Sequence, residues 1–150
     1  MGMLAIRKAE STDIEALVPL FDAYRQFYEQ PADLAGAWRF LSERMSRGES
    51  TIFLAELGGQ AAGFAQLYPC FTSAGMARIF ILNDLFVTPE MRGQGVATAL
   101  LRRSAEFGRA EGAVRLSLST ATDNFTAQAV YEREGWKRDD VFLNYRLGLE

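Results

Sequence analysis

The chain has 150 residues, enough for one domain with its own core, and its 49% hydrophobic and 23% charged content is that of a globular protein. It has no histidine, and Cys70 is its single cysteine, so Ser-His-Asp and Cys-His catalysis, imidazole zinc sites and intrachain disulfides are excluded. A net charge of −3 offers no basic footprint for nucleic acid, and no apolar run reaches the length of a membrane span. The first eight residues lack the pattern of a signal peptide. The expectation is a single cytoplasmic domain over residues 1–150, with no metal and no membrane or nucleic-acid partner.

Met3–Lys8 reads as a short strand. Thr12-Asp13-Ile14-Glu15 matches a capping box, and Ile14, Leu17, Val18, Phe21, Tyr24 and Tyr28 follow at helical spacing. Pro19 lies inside that helix and should kink or break it. A second helix is expected from about Asp33 to Arg47, with Leu34, Trp38, Leu41 and Met45 on one face and Gly48 ending it. The period then becomes two. Thr51–Leu57 and Ala61–Tyr68 flank Gly58-Gly59-Gln60 as a hairpin, Pro69–Met76 is a loop, and Arg78–Val87 is an apolar strand covered on both faces.

A turn over Thr88–Gln94 leads to a helix from about Gly95 to Glu111. Ala113–Ser119 is a strand, Phe125–Glu134 a helix stopped by Gly135, and Trp136–Leu149 one or two terminal strands. The order β-α-α-β-β-β-α-β-α-β defines an α+β fold with a mixed sheet and helices on both faces.

Charge is uneven. Arg92, Arg102, Arg103, Arg109 and Arg115 face only Glu106 and Glu111 in their stretch, which suits either an anionic ligand or a solvated helix face. Within this stretch, the turn Arg92-Gly93-Gln94-Gly95-Val96-Ala97-Thr98 joins a strand to a helix. Glycines admit close backbone approach, and the first N–H groups of a helix have no intrahelical partner, so such a turn can hold a pyrophosphate. A dinucleotide fingerprint fails because Thr98 stands where its third glycine belongs, and no Gly-Lys-Ser/Thr forms a P-loop. A plain strand-to-helix turn would use the same two glycines.

Arg92-x-x-Gly95-x-Ala97 resembles the R/Q-x-x-G-x-G/A signature of the GNAT superfamily of acetyl-CoA-dependent N-acetyltransferases. Asn124, Ala127, Tyr131 and Gly135-Trp136 resemble that family's second block, in the same order and with a strand between the two. The resemblance implies acetyl-CoA as cosubstrate. Backbone groups of Leu85, Phe86 and Val87 would meet the pantetheine arm and acetyl carbonyl, and the turn from Arg92 to Thr98 would hold the pyrophosphate. Asn124 and Ala127 would line the pantetheine side.

It also implies Tyr131 as the general acid for the leaving thiolate; a phenol is protonated at neutral pH, as an acid must be. A tyrosine packed on an amphipathic helix would look the same in sequence. Asp84 is the candidate base, because a carboxylate inside Arg78–Val87 is costly to bury without a purpose; an anchoring role for it is equally compatible. The Asn83-Asp84-Leu85-Phe86-Val87 block and the Tyr24–Tyr28 helix look most similar to the polyamine and small-amine branch. That branch has a glutamate where this chain has Asn83, which cannot accept a proton at neutral pH.

Tyr24, Tyr28, Glu29 and Tyr68, with Asp84, give the acceptor region aromatic and acidic character suited to an ammonium group. Expected, then, is acetyl transfer to a primary amine of a small molecule (an amino acid, diamine or polyamine). A protein or peptide acceptor and a weakly catalytic acyl-CoA-binding module are the alternatives. A homodimer through the β-rich stretch Val141–Leu147 completes the expectation.

Overall fold

Side-chain alternation along the second strand sorts the core into two faces. In the computed structural model, which describes residues 2–150, β2 (Thr51–Leu57) sends Ile52 and Leu54 to one side and Phe53 to the other. Ile52 and Leu54 join Phe64 and Phe86 under α1 (Ile14–Phe27) and α2 (Leu34–Ser46). Phe53 meets Phe107 of α3 (Val96–Ala110) edge to face on the opposite side.

The sheet has five strands in the order β1-β2-β3-β4-β5, with β1 at Leu4–Lys8, β3 at Gln60–Thr72, β4 at Ala77–Val87 and β5 at Leu116–Ser117. Neighbouring pairs are antiparallel except β4 with β5, which is parallel, so the mixed α+β sheet expected from sequence is present. The chain divides into two compact units at Ser119 and Thr120. The second unit holds α4 (Phe125–Arg133).

Several elements differ from expectation. The capping box sits two residues earlier than expected: Glu10 is the N-cap of a 3-10 turn, Ser11–Asp13, and its backbone N–H donates to Asp13 Oδ2 at 2.7 Å. Asp13 is favoured there because it also takes a two-pronged hydrogen bond from Arg7, at 2.7 and 2.8 Å. Pro19 does not break α1. The Glu15 carbonyl it deprives of a donor lies on the exposed side, where water can satisfy it.

On α2 the buried positions are Ala37 and Leu41, whereas Leu34 and Trp38 are exposed. β3 runs on through Pro69 to Thr72, where a loop was expected. Its last pair with β2 is Thr51 with Leu67, so beyond that point it is an edge, where a residue without an N–H is tolerated. No strand forms over residues 136–150. Val141 and Phe142 instead donate their N–H groups to Asp139 Oδ1, and Val141, Leu143, Tyr145, Leu147 and Leu149 are exposed. A strand exists only where its backbone finds a ladder partner, and alternation alone does not supply one.

Candidate active site

Strict alternation would put Phe80 and Phe86 on the same face of β4. They are on opposite faces: Phe80 stacks on Phe107 of α3 at 5.0 Å, and Phe86 packs against Tyr24 of α1 at 6.3 Å. The register accounts for this. Gln66 of β3 pairs with Asp84 and Leu67 with Leu82, leaving Asn83 as an extra residue in a β-bulge. The bulge turns Asp84 into the α1 side of the sheet, opposite Gln66.

Asp84 is 3% exposed, and its carboxylate is held by two amides. Gln66 Nε2 donates to Oδ2 at 2.5 Å and Asn83 Nδ2 to Oδ1 at 2.8 Å. The Tyr24 hydroxyl donates to the Asn83 carbonyl at 3.2 Å and also reaches Asp84. Burial pushes the Asp84 carboxyl above its ordinary value, and the hydrogen bonds from Gln66, Asn83 and Tyr24 oppose that rise without cancelling it. Burial, and next the Asp84 charge, push the phenols of Tyr24 and Tyr68 up, so both stay protonated at neutral pH.

Tyr28 meets Tyr24 edge to face at 5.1 Å. Of the expected acceptor residues, Tyr24, Tyr28, Tyr68 and Asp84 are thus brought together. Glu29 is exposed in the turn after α1, at φ +63, and takes no part in the cluster. Gln66 was not anticipated. It is fully buried within an apolar strand, and the cost of burying a polar group, which singles out Asp84, applies to it equally.

Past the bulge, β4 loses its second neighbour. Its pairing with β5 is limited to Phe80 with Leu116 and Ile81 with Ser117, so Leu85, Phe86 and Val87 have no strand partner on that side. Their backbone edge is the kind of surface an extended ligand can line.

The chain then passes a 3-10 turn, Pro89–Met91, and reaches Arg92–Gly95. Gly93 and Gly95 have φ of +75° and +82°, and a Cβ at either would meet no atom within 4 Å. Gly95 is the N-cap of α3 and supplies no side chain, so the turn is an open backbone cradle at a helix N-terminus that suits a pyrophosphate. Beside it a groove is lined by Gly95, Thr98, Ala99, Arg102 and Arg103. The Arg92 side chain turns back toward β4 instead. Its Nε donates to the Val87 carbonyl at 2.9 Å, and the guanidinium lies 5.7 Å from the Phe86 ring centre. Val96 is buried, while Gln94 is exposed and Ala97 half-buried.

In the second unit, Asn124 caps α4 by accepting from the Ala127 N–H at 3.2 Å. Tyr131 lies 6.2 Å, ring to ring, from Trp136, whose N–H donates to the Tyr131 carbonyl through the turn at Gly135. Among the described residues, no cluster of acidic, cysteine or histidine side chains could hold a metal ion.

The fold is that of an acyltransferase family. The family model of the acetyltransferase (GNAT) family matches residues 17–136. The uncharacterized N-acetyltransferase YhfO of Bacillus subtilis (strain 168) is 44% identical over 144 residues, covering 96% of this chain and 97% of that protein. A crystal structure of a probable acetyltransferase superposes with a TM-score of 0.92 at 40% identity, covering 97% of this chain and 98% of the other. The aminoglycoside N-acetyltransferase AAC(6')-Iy, solved in complex with CoA, shares the fold with a TM-score of 0.80 at 23% identity, over 98% of this chain and 96% of its own. The chain belongs to the GNAT family and is an N-acetyltransferase.

Proposed function

We propose that the enzyme transfers acetyl from acetyl-CoA to the primary amine of a small molecule, in one direct step. The observation that carries this reading is the buried Asp84 carboxylate under Tyr24 and Tyr68, next to the unpaired edge of β4. An ammonium group suits that surround, because phenol rings and a carboxylate attract it and a carboxyl with a raised pKa accepts its proton closer to neutral pH. Asp84 takes that proton, and the freed lone pair forms the C–N bond to the acetyl carbon. Backbone N–H groups at Leu85–Val87 stabilise the oxyanion. The C–S bond breaks, Tyr131 gives its proton to the departing thiolate, and the surplus proton on the new amide nitrogen passes to the Tyr131 phenolate, so the products are the neutral amide and the CoA thiol. The turn from Arg92 to Thr98 holds the pyrophosphate, and Asn124 and Ala127 line the pantetheine arm.

Support for a small acceptor comes from the confined character of the Asp84 surround, and from AAC(6')-Iy, a structure of the same fold that has been solved with the bisubstrate analogue CoA-S-monomethyl-acetylneamine. A diamine or polyamine fits the paired demand for aromatic and acidic groups, with Asp84 doing the work that the missing glutamate at Asn83 would otherwise do.

The test is CoA-thiol release from acetyl-CoA against polyamines, diamines, amino acids, aminoglycosides and short peptides. Turnover is expected on one small-amine class. Tyr131→Phe should lower kcat about 10²-fold or more with the acetyl-CoA KM unchanged. Turnover on peptides alone would overturn the small-molecule reading, and an unchanged kcat would remove Tyr131 from the chemistry.

A further inference from the structure

The Asp84 cluster contains one polar atom that the proposed reaction leaves unused. Gln66 is 0% exposed, and its Oε1 has no hydrogen-bond partner although Nε2 is engaged with Asp84. Buried amides normally satisfy both ends, so an orphaned acceptor beside a titrating carboxyl calls for an explanation. Position 66 needs volume, since it faces the core side of β3 between Phe64 and Tyr68, but methionine or leucine would fill it.

A carboxylate accepts only, whereas a carboxylic acid carries one O–H donor. In the orientation described, every partner of Asp84 donates: Gln66 Nε2, Asn83 Nδ2 and the Tyr24 hydroxyl. That set fits the charged base. Once Asp84 holds the proton of the acceptor's ammonium, the +1 and −1 charges become a neutral amine and a neutral acid, and the new O–H needs an acceptor. Gln66 Oε1 is a buried acceptor without a partner, on the same amide that is already in contact. The last torsion of a glutamine is broad and roughly two-fold, so a half-turn exchanges Nε2 for Oε1 without moving the chain.

We propose that Gln66 is the positioning residue of the deprotonation step: its amide holds the Asp84 carboxylate through Nε2 and, turned over, holds the acid through Oε1. This rests on Asp84 being the base. The other titratable and charged groups around Asp84 are Tyr24 from α1, with Tyr28 of the same helix against it, and Tyr68 from its own sheet, with Arg44 of α2 acting on Tyr68. The phenols of Tyr24 and Tyr68 are held protonated, so neither competes for the proton.

The experiment is an NMR titration of the free protein, following the Asp84 carboxyl carbon and the Gln66 side-chain amide, alongside the pH profile of kcat/KM. In the wild-type enzyme the Gln66 amide resonances should titrate with the same midpoint as the Asp84 carbon and as the acid limb of activity. Gln66→Met removes a hydrogen bond from both protonation states, and the bond to the charged form is the stronger, so the Asp84 midpoint and the acid limb should move up by less than about one pH unit, with the acetyl-CoA KM unchanged. Amide resonances that stay constant through the Asp84 titration overturn the proposal, and this measurement needs no variant to fold. The failure of the underlying reading looks different: Asp84→Asn would keep both its rate and its acid limb.

Discussion

The two halves of β4 have the same parent strand and opposite fates. From Ala77 to Leu82 the strand lies against β3, meets β5 at Phe80 and Ile81, and sets Phe80 on Phe107 of α3. From Asn83 to Val87 it begins with an unpaired bulge residue, has no partner on the β5 side, and buries the Asp84 carboxylate beside the Phe86 ring. The first half behaves as core. The second has lost a neighbour on one side and gained a polar cluster on one face, and those are the two features the proposed reaction draws on: an open backbone edge and a proton acceptor. One inserted residue, Asn83, separates the two regimes.

Substitutions can break that contrast or sharpen it. Phe80→Ala, in the packed half, should cost about 3–5 kcal/mol in urea unfolding while leaving kcat per folded molecule near its wild-type value. A large loss of kcat in the folded fraction would mean that the halves are coupled. Gly63→Ala acts on the other half, because a Cβ there would lie 2.4 Å from the Phe86 carbonyl oxygen, a backbone atom that cannot swing aside. It should cost about 1–3 kcal/mol and also depress turnover by displacing Phe86 and Val87. Unchanged kinetics with reduced stability would count against the second half as the catalytic edge.

The smallest effect should come from the far end of the sheet. Asp13→Ala removes an acceptor of the Glu10 N–H and one of the two acidic partners of Arg7, at about 0.5–2 kcal/mol, with no change in kcat. The hydrogen bonds from Arg7 and from the Glu10 backbone hold the Asp13 carboxyl below its ordinary value of 3.8. The folded chain therefore releases this proton more readily than the unfolded one. Its stabilisation is complete above pH 3.8 and is lost as the pH falls through the lowered folded value. Asp84 is shifted the other way, so its ionisation costs stability as the pH rises from 3.8 through its raised folded value. Acid unfolding of wild type and Asp13→Ala should accordingly converge at low pH, and curves that stay parallel would contradict this assignment.

Much of this architecture was legible in the sequence because it rests on local rules. A period-two run placed β2, a continuous apolar run placed β4, Gly58-Gly59 placed the hairpin, and Asp33 and Gly48 bracketed α2. The open turn at Gly93 and Gly95 was legible for the same reason. What escaped depended on partners distant in the chain. Pro69 could continue β3 only because β2 stops beside Leu67. The alternation of Val141, Leu143, Tyr145, Leu147 and Leu149 promised a strand that has no ladder to join. Asp84 could be flagged on the cost of burying charge, but the bulge that aims it and the amide opposite it are matters of register, which one strand read by itself does not reveal.

Arg92 closes a small circuit. It leaves the chain after β4 and returns its side chain to the Val87 carbonyl and the Phe86 ring. The connection between strand and helix is therefore tied back to its strand end by its own arginine. Surface loops ordinarily absorb insertions at little cost. This one behaves as a fixed gauge: its composition can drift, but an added or deleted residue would pull the guanidinium off its carbonyl and change the spacing between the open strand edge and the glycine cradle.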